Sequence, residues 1–349
     1  MLKGFVDNAP TDVTLHDHAD VMVFMMQPFQ IKHFYAGQHK TCFTMWESDT
    51  LPERFIDWLP AYDQVIVPCT HNLELFSKHH RDVKLVPLGV DVERWKPKKR
   101  AANHRFRFHA GGSQWLRKGL DIVLKAFIMA DLDAELHLKP NPEAFGVPEL
   151  DLPDNVFLHR GWFTDDQTLD FFRSADCWIA ATRGEGFGLM PLQAMACGVP
   201  TIMNAASGQG DFAHLAPIVI SHKPAESHYG GMWDESDPRE LAEAMREMYT
   251  NHDKHLGWAK ATVPKLADWS WASAARKLTD TLPVGSLIAD PVFKHATVWY
   301  RVTLDRNLQC DIADKTYRFT KGVPMRVSEG VLDVVRAAGY VDSYTMEVT

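Results

Sequence analysis

The chain has 349 residues, 46% of them hydrophobic and 23% charged; this predicts two core-forming units and a smaller third, and excludes a mainly disordered or low-complexity protein. The formal net charge of −8 is nearly balanced in residues 1–100 and 290–349 and lies mostly between them, so no strongly basic face for non-specific nucleic-acid binding is visible, though a nucleic acid as substrate stays open. No window reaches the roughly 18 uninterrupted apolar residues of a membrane span, and the start MLKGFVDNAP lacks a signal-type apolar run, so a cytoplasmic location is expected.

In chain order, VMVFMM from Val21, TCFTM at 41–45, QVIVP at 64–68 and VKLVPLGV at 83–90 read as short buried strands. The helix-like stretches LPERFIDWL from Leu51 and HNLELFSKHH from His71 alternate with them, as in a parallel sheet flanked by helices. The charged stretch GVDVERWKPKKR at 89–100 loses apolar periodicity and predicts a crossing between lobes.

A second alternation follows: strand FRFHA (106–110), helix GLDIVLKAFIMA, strands AELHLK (134–139) and NVFLH (155–159), a helix near 165–174, strand CWIAAT (177–182), helix PLQAMA and strand PTIM. Leu120, Val123, Leu124 and Phe127 recur at i, i+3, i+4, i+7 spacing, which predicts the sheet-facing side of the first helix. Helices ELAEAMREMY (240–249) and a Trp-rich segment near 266–279 come next. After Pro283 and Pro291, VWYRVTL, TYRFTKG and SEGVLDVVRAAGYV predict a small appendage of strands and one helix. Cys42, Cys69, Cys177, Cys197 and Cys310 are scattered and odd in number, the pattern of reduced core thiols.

The strongest chemical signal is ATRGEGFGLMPLQAMACGVP at 181–200, a buried strand ending in a Gly-rich turn that feeds a helix near Pro191. Backbone N–H groups of Phe187, Gly188 and Leu189 at such a helix start suit a phosphate or sugar oxygen, and Gly186 and Gly188 permit close approach. Glu185 is an acceptor for sugar hydroxyls, and Gln193 can both accept from and donate to ribose. A second cradle is HAGGSQWLRKGLD at 109–121: Gly111, Gly112 and Ser113 form the turn, and Arg117 and Lys118 supply charge for a diphosphate. The metal readings of HDH at 16–18 and DLD at 131–133 are set aside, the first for want of a third ligand and the second as a surface turn. His79 and His80 read as a solvated helix end.

These motifs resemble the GT4-type retaining glycosyltransferases of the GT-B fold, over roughly residues 20–280. The family's Glu, seven residues, Glu signature stands here as Glu185 to Gln193, with EGFG and AMACGVP intact. VPLGVD at 86–91 resembles its interdomain segment, RKG at 117–119 its phosphate-binding lysine, and YGGMWDESDPRELAEAM its late acidic stretch. The resemblance implies an α/β protein of two Rossmann-like doubly wound lobes: a shortened acceptor-side lobe at 1–95 and a nucleotide-sugar lobe at 96–282, followed by an α+β appendage at 283–349.

It further implies a metal-independent, retaining hexosyltransferase, with a UDP-sugar favoured as co-substrate, no cofactor and a hydroxyl acceptor. Glu185 would meet the donor sugar, Lys118 the diphosphate, the amides of Phe187 to Leu189 the sugar and phosphate region, and Gln193 the ribose. The chain departs from the family pattern at Gln193, where an amide replaces a carboxylate, and at Gly112, which takes the place of an Arg. Arg117, Lys139 or Arg183 would have to substitute for that Arg. In the first lobe Trp46 stands nearest the family's cleft residue, often His, and Glu47 is the acceptor-side candidate; Trp46, Phe29 and Phe34 are aromatic groups able to stack on an acceptor. The appendage resembles small phage modules, which puts a DNA base, a virion protein or a glycan among the acceptors. Rival readings are a binding protein for nucleotide-sugars or glycans that has lost turnover, and a GT-B epimerase or phosphorylase.

Overall fold

The computed structural model describes residues 21–25, 27–30, 39–98, 104–140, 151–283, 298–305, 307–312, 315–327 and 341–348. The HDH run at 16–18, Phe34, Pro291 and nearly all of the helix expected from 328 lie outside the described residues. The chain divides into two compact units, one running to Leu287 and the other formed chiefly by Ile288–Thr349.

The first unit holds two parallel sheets. β1 (Val21–Met25), β2 (His39–Phe43), β3 (Gln64–Val67) and β4 (Val83–Leu85) form the first in the order β1-β2-β3-β4, with α1 (Glu53–Trp58) and α2 (Thr70–Phe76) between strands. Pro87 has no N–H to add to a ladder, and the strand expected through residue 90 stops at Leu85. The second sheet has the order β10-β9-β8-β5-β6-β7, built from β5 (Phe106–Gly112), β6 (Ala134–Pro140), β7 (Val156–Leu158), β8 (Cys177–Ala180), β9 (Thr201–Asn204) and β10 (Ile218–Ile220). Order reverses between β5 and β8, which opens a crevice at the carboxyl ends of those strands.

Helices α3 (Leu120–Ala130), α4 (Asp165–Arg173) and α5 (Leu189–Ala196) cross over between these strands. Leu120, Val123, Leu124 and Phe127 are all buried against Phe108, Leu136 and Ile179, the face their spacing predicts. Thr164 starts α4 through a capping box closed by Gln167. A hairpin of β11 (Lys223–Glu226) and β12 (Met232–Glu235) and the helix α7 (His252–Thr262) were not anticipated; the hairpin turn is made by Gly230 and Gly231, both at positive φ. Asp237 caps α6 (Pro238–Thr250), whose Leu241 and Met245 close the core below α3.

The two lobes share one apolar core: Phe43, Ile66, Val86 and Leu88 of the first pack in a single cluster with Trp178, Phe187, Leu192 and Phe212 of the second. The crossing near residue 89 is clamped by the returning chain. Val90 N–H donates to Trp269 O, and Trp271 N–H to Val90 O, just before α8 (Trp271–Thr281). Asp211 accepts from Thr70 N at 2.9 Å, joining the second lobe to the start of α2. Cys42, Cys69, Cys177 and Cys197 are buried, and burial pushes the Cys42 thiol up to about 12. Beneath the carboxyl end of the second sheet, His109 lies between the rings of His137 and Phe171, and His137 shares a 2.9 Å hydrogen bond with His159.

The second unit is antiparallel. β13 (Val298–Leu304) pairs with β16 (Met325–Val327) and β17 (Val341–Val348), while β14 (Leu308–Ile312) and β15 (Lys315–Phe319) form a hairpin.

Candidate active site

The site grows from the carboxyl end of β5. Gly112 has φ +133°, and a Cβ there would stand 2.7 Å from Lys118 Cε and 2.9 Å from Cδ. That positive φ favours glycine, so an arginine, which the family pattern has here, would be strained and would displace the Lys118 stem. The following turn, with Gln114 at φ +66°, brings Arg117 and Lys118 to the head of α3.

The second chain segment to arrive is the turn after β8. Arg183 N–H donates to Arg117 O at 2.7 Å, Thr182 Oγ1 to the same oxygen at 2.9 Å, and Arg117 Nη1 to Gly184 O at 2.8 Å. This lattice sets Glu185 against the cations: Lys118 Nζ is 2.5 Å from one carboxylate oxygen and Arg117 Nη1 3.8 Å from the other. The three side chains keep 8–12% of their surface exposed. Burial holds the Lys118 ammonium below the usual lysine range, against the pull of Glu185. On the far side, Glu185 N–H donates to Ser207 Oγ at 2.8 Å, and Gly208 N–H to Glu185 O at 2.9 Å.

Phe187 is buried, packed on Phe212 and Trp269, and Gly208 closes on its amide, so that N–H does not face an open anion site. Helix α5 begins at Leu189 rather than Pro191, behind Gly188 at φ +97°. Its residues open outward at Leu189, Met190 and Gln193, which share one face at helical spacing. That face looks onto Gly111, whose added Cβ would meet Met190 Cε at 3.4 Å.

The remaining expected cations divide. Arg183 is spent on structure: it forks onto both oxygens of Asp121 at 2.7 and 2.8 Å, meets Glu235 at 2.8 Å and donates to Leu116 O. It does not substitute for the missing arginine. Lys139 bonds Gly161 O at 2.8 Å and lies over the Phe163 ring, at the rim beside Gly111. Arg117 is the one of the three that reaches Glu185. Replacing Arg183 with Met strands two carboxylates and is expected to lower stability by roughly 2 kcal/mol, discounted for the exposure of Glu235; a urea melt measures this, and an unchanged midpoint would contradict the structural role.

From the first lobe, the loop after β2 carries Glu47 into the field of Arg117, Lys118 and Glu185; burial raises its carboxyl above the usual glutamate range, opposed by Arg117. Asn72 pins this loop, accepting from Trp46 N at 2.7 Å and donating to Trp46 O at 3.1 Å, and it also donates to Gly186 O at 3.4 Å. Trp46 is core, packed on Phe55, with its indole N–H on Ser48 Oγ; Phe29 packs on the same cluster. The turn of the β11–β12 hairpin completes the enclosure. The Tyr229 hydroxyl donates to Gln114 Oε1 and its ring sits 5.3 Å from both Trp46 and Trp233, while Asp49 and Met232 exchange two hydrogen bonds.

Asn72 and Ser207 carry no motif, the positive φ of Ser207 (+42°) is invisible in sequence, and Tyr229 opens the YGGMWDESDP stretch without standing among the expected site residues. DLD at 131–133 is a surface turn, with Asp131 at φ +50° and Asp133 paired to Arg105. His80, expected in solvent, instead bonds Tyr62 O and Asp82 O. Among the described residues no group of three or more His, Cys, Asp or Glu side chains is placed to hold a metal ion, and no helix is long and apolar enough to cross a membrane.

Two facing parallel sheets with a crevice between them define the GT-B architecture, and solved structures of this fold superpose on the chain. Sucrose-phosphate synthase from Thermosynechococcus elongatus does so with a TM-score of 0.57 and 18% identity, over 70% of this chain and 67% of that one. Anabaena Alr3699/HepE, solved in complex with UDP and glucose, gives 0.57 and 13%, over 71% and 72%. In sequence, the D-inositol 3-phosphate glycosyltransferase of Mycolicibacterium gilvum is 26% identical over 235 residues, 60% of this chain and 49% of the relative. The chain spans about half the length, or less, of the curated relatives it matches first. Residues 160–278 match the family described as family 4 glycosyltransferase in conflict systems. Over these stretches the chain is similar to GT4-type glycosyltransferases, and its architecture is that of the GT-B fold.

Proposed function

We propose that the chain is a retaining glycosyltransferase that moves a sugar from a nucleotide-sugar, with a UDP-sugar favoured, to an acceptor hydroxyl without a metal ion. The observation that carries this is the buried Lys118–Glu185–Arg117 cluster at the heads of α3 and the 184–188 turn, with Glu47 facing it from the other lobe. An ammonium has three donors, so Lys118 can keep Glu185 and still reach a phosphate oxygen. Lys118 and Arg117 then hold the charge that grows on the departing diphosphate, and the buried setting strengthens that interaction. Glu185 accepts from sugar hydroxyls, Gln193 and the Leu189–Met190 face take the ribose side, and Glu47 orients the acceptor hydroxyl.

In this reading residues 1–95 present the acceptor, residues 96–282 hold the donor, and the protein works in the cytoplasm; a phage DNA base, a virion protein and a glycan remain the acceptor classes. Holding the acceptor oxygen on the face the diphosphate leaves retains the anomeric configuration. The UDP and glucose of the HepE complex support a UDP-sugar donor.

The test is a thermal-shift and product-release screen with UDP-, GDP-, ADP- and TDP-sugars. One nucleotide-sugar is expected to raise the melting temperature and to be hydrolysed slowly by wild type and not by Glu185→Ala, equally with and without EDTA. Turnover lost on chelation and restored by Mn²⁺ refutes the metal-independent step. Binding without hydrolysis by wild type turns the reading into that of a nucleotide-sugar-binding protein.

A further inference from the structure

Glu47 and Glu185 come to the site from different lobes, and each is one residue away from a backbone group that Asn72 holds. Asn72 is wholly buried near the start of α2. Its side-chain oxygen accepts from Trp46 N at 2.7 Å, and its amide nitrogen donates to Trp46 O at 3.1 Å, to Cys69 Sγ at 2.9 Å and to Gly186 O at 3.4 Å. Trp46 precedes Glu47, and Gly186 follows Glu185. One amide therefore ties the neighbours of both carboxylates across the lobe boundary.

The surrounding contacts leave this junction little freedom. His71 Nε2 shares a hydrogen bond with Ser48 O at 3.2 Å, and Thr70 N donates to Asp211 of the second lobe at 2.9 Å, so the first turn of α2 grips both sides. The backbones meet there without side chains between them: a Cβ on Gly184 would run into Glu47 O, and one on Gly186 into the Met45 side chain. Neither glycine is at positive φ. What these two positions protect is the close approach of the first-lobe loop, not a special backbone conformation. An asparagine brings an acceptor and two N–H donors on one planar group, a set that a hydroxyl does not match.

We propose that Asn72 is a positioning residue for the transfer step, holding the Glu47 loop and the Glu185 turn in the one relative placement that aligns the acceptor oxygen with the anomeric carbon. The proposal rests on the transferase reading above. Asn72 is buried away from both substrates and acts through Glu47. A misplacement of about 1 Å at a reacting group costs on the order of 10²-fold in rate, so a loosened anchor shows in turnover before it shows in donor binding.

The experiment gives the full chain the nucleotide-sugar that wild type hydrolyses, with water as the acceptor. It measures kcat, donor KM and the donor's thermal shift well below each variant's melting temperature. Asn72→Ser, whose hydroxyl cannot span Trp46 and Gly186, is expected to lower kcat by about ten-fold or more and to leave donor KM within about two-fold of wild type. Gly186→Ala keeps the amide and presses on Met45, whose flexible end can give; it should fold and lose several-fold in kcat. Glu47→Gln removes the group being positioned, so adding either change to it should slow the enzyme by less than about three-fold more. A residue that only supports the fold would multiply its loss onto that of Glu47→Gln.

Wild-type kcat in folded Asn72→Ser, a raised donor KM with kcat unchanged, a Glu47→Gln enzyme as fast as wild type, or losses that multiply in the double variants overturns the positioning role and leaves the transferase reading standing. If Asn72→Ser does not fold, Gly186→Ala with and without Glu47→Gln decides by the same criteria. Failure of wild type to bind or hydrolyse any of the four nucleotide-sugars overturns that reading and the positioning role together.

Discussion

Lys118→Met is expected to slow donor turnover by on the order of 10²–10³-fold, the usual cost of removing one preorganised group that meets charge growing in the transition state. Methionine keeps a stem of similar reach across Gly112, so the loss isolates the ammonium. The same change leaves Glu185 buried with only Arg117, at 3.8 Å, to compensate it. Stability should therefore fall by about 3 kcal/mol, the low end for breaking a buried pair.

The two effects separate in the double variant Lys118→Met/Glu185→Gln, where no uncompensated carboxylate remains. Its urea midpoint should recover most of the loss while turnover stays absent. Recovery of turnover together with stability would mean that the pair only supports the fold. A Lys118→Met enzyme with wild-type kcat/KM would remove the central element of the proposed mechanism.

Stability should fall as the pH drops below about 6.5, and His109 is the largest single cause. It is 1% exposed between the rings of His137 and Phe171, and among the described residues neither ring nitrogen makes a well-formed hydrogen bond, a backbone contact with Phe171 being the one that favours its charged form. Burial holds its pKa well below the usual histidine value, with His137, His159 and Arg107 adding to the depression; burial lowers His137 and His159 as well. The unfolded chain then binds protons that the folded chain refuses. The His109 contribution is fully present above the unfolded pKa and is lost as pH falls toward the folded one, at up to about 1.4 kcal/mol per pH unit.

Thermal melts from pH 8 to pH 5.5 measure this. His109→Phe keeps a ring in the stack and leaves no ring nitrogen unsatisfied, so it should flatten the acid slope by about one proton without loss of stability at pH 8. An identical slope in the variant would assign the acid sensitivity elsewhere. Glu135, which faces His137, has its pKa lowered by His137 and Arg107 against burial, so its contribution is lost only in the ordinary carboxylate range and below.

Much of the architecture was legible because it is local. Strand runs of four or five apolar residues and the 120–127 periodicity are properties of single segments, and each burial pattern follows from its own spacing. The EGFG turn and the RKG segment could be marked as an anion site for the same reason: a strand feeding a helix through glycines makes that geometry wherever it occurs. Sequence periodicity did not find the β11–β12 hairpin, because its residues are mostly half-buried or exposed and alternate weakly.

Composition and motif therefore specified two α/β lobes, a Gly-rich turn beside Glu185 and a basic pair at Arg117 and Lys118, all of which depend on neighbours within a few residues. Tertiary structure decided which groups meet. It committed Arg183 to Asp121 and Glu235, set Arg117 and Lys118 on one carboxylate, covered the Phe187 amide with Gly208, and brought Asn72 to Gly186 across 114 positions of chain. Such pairings turn on where distant segments pack and on which buried charge finds a counter-charge, and no local pattern carries that information.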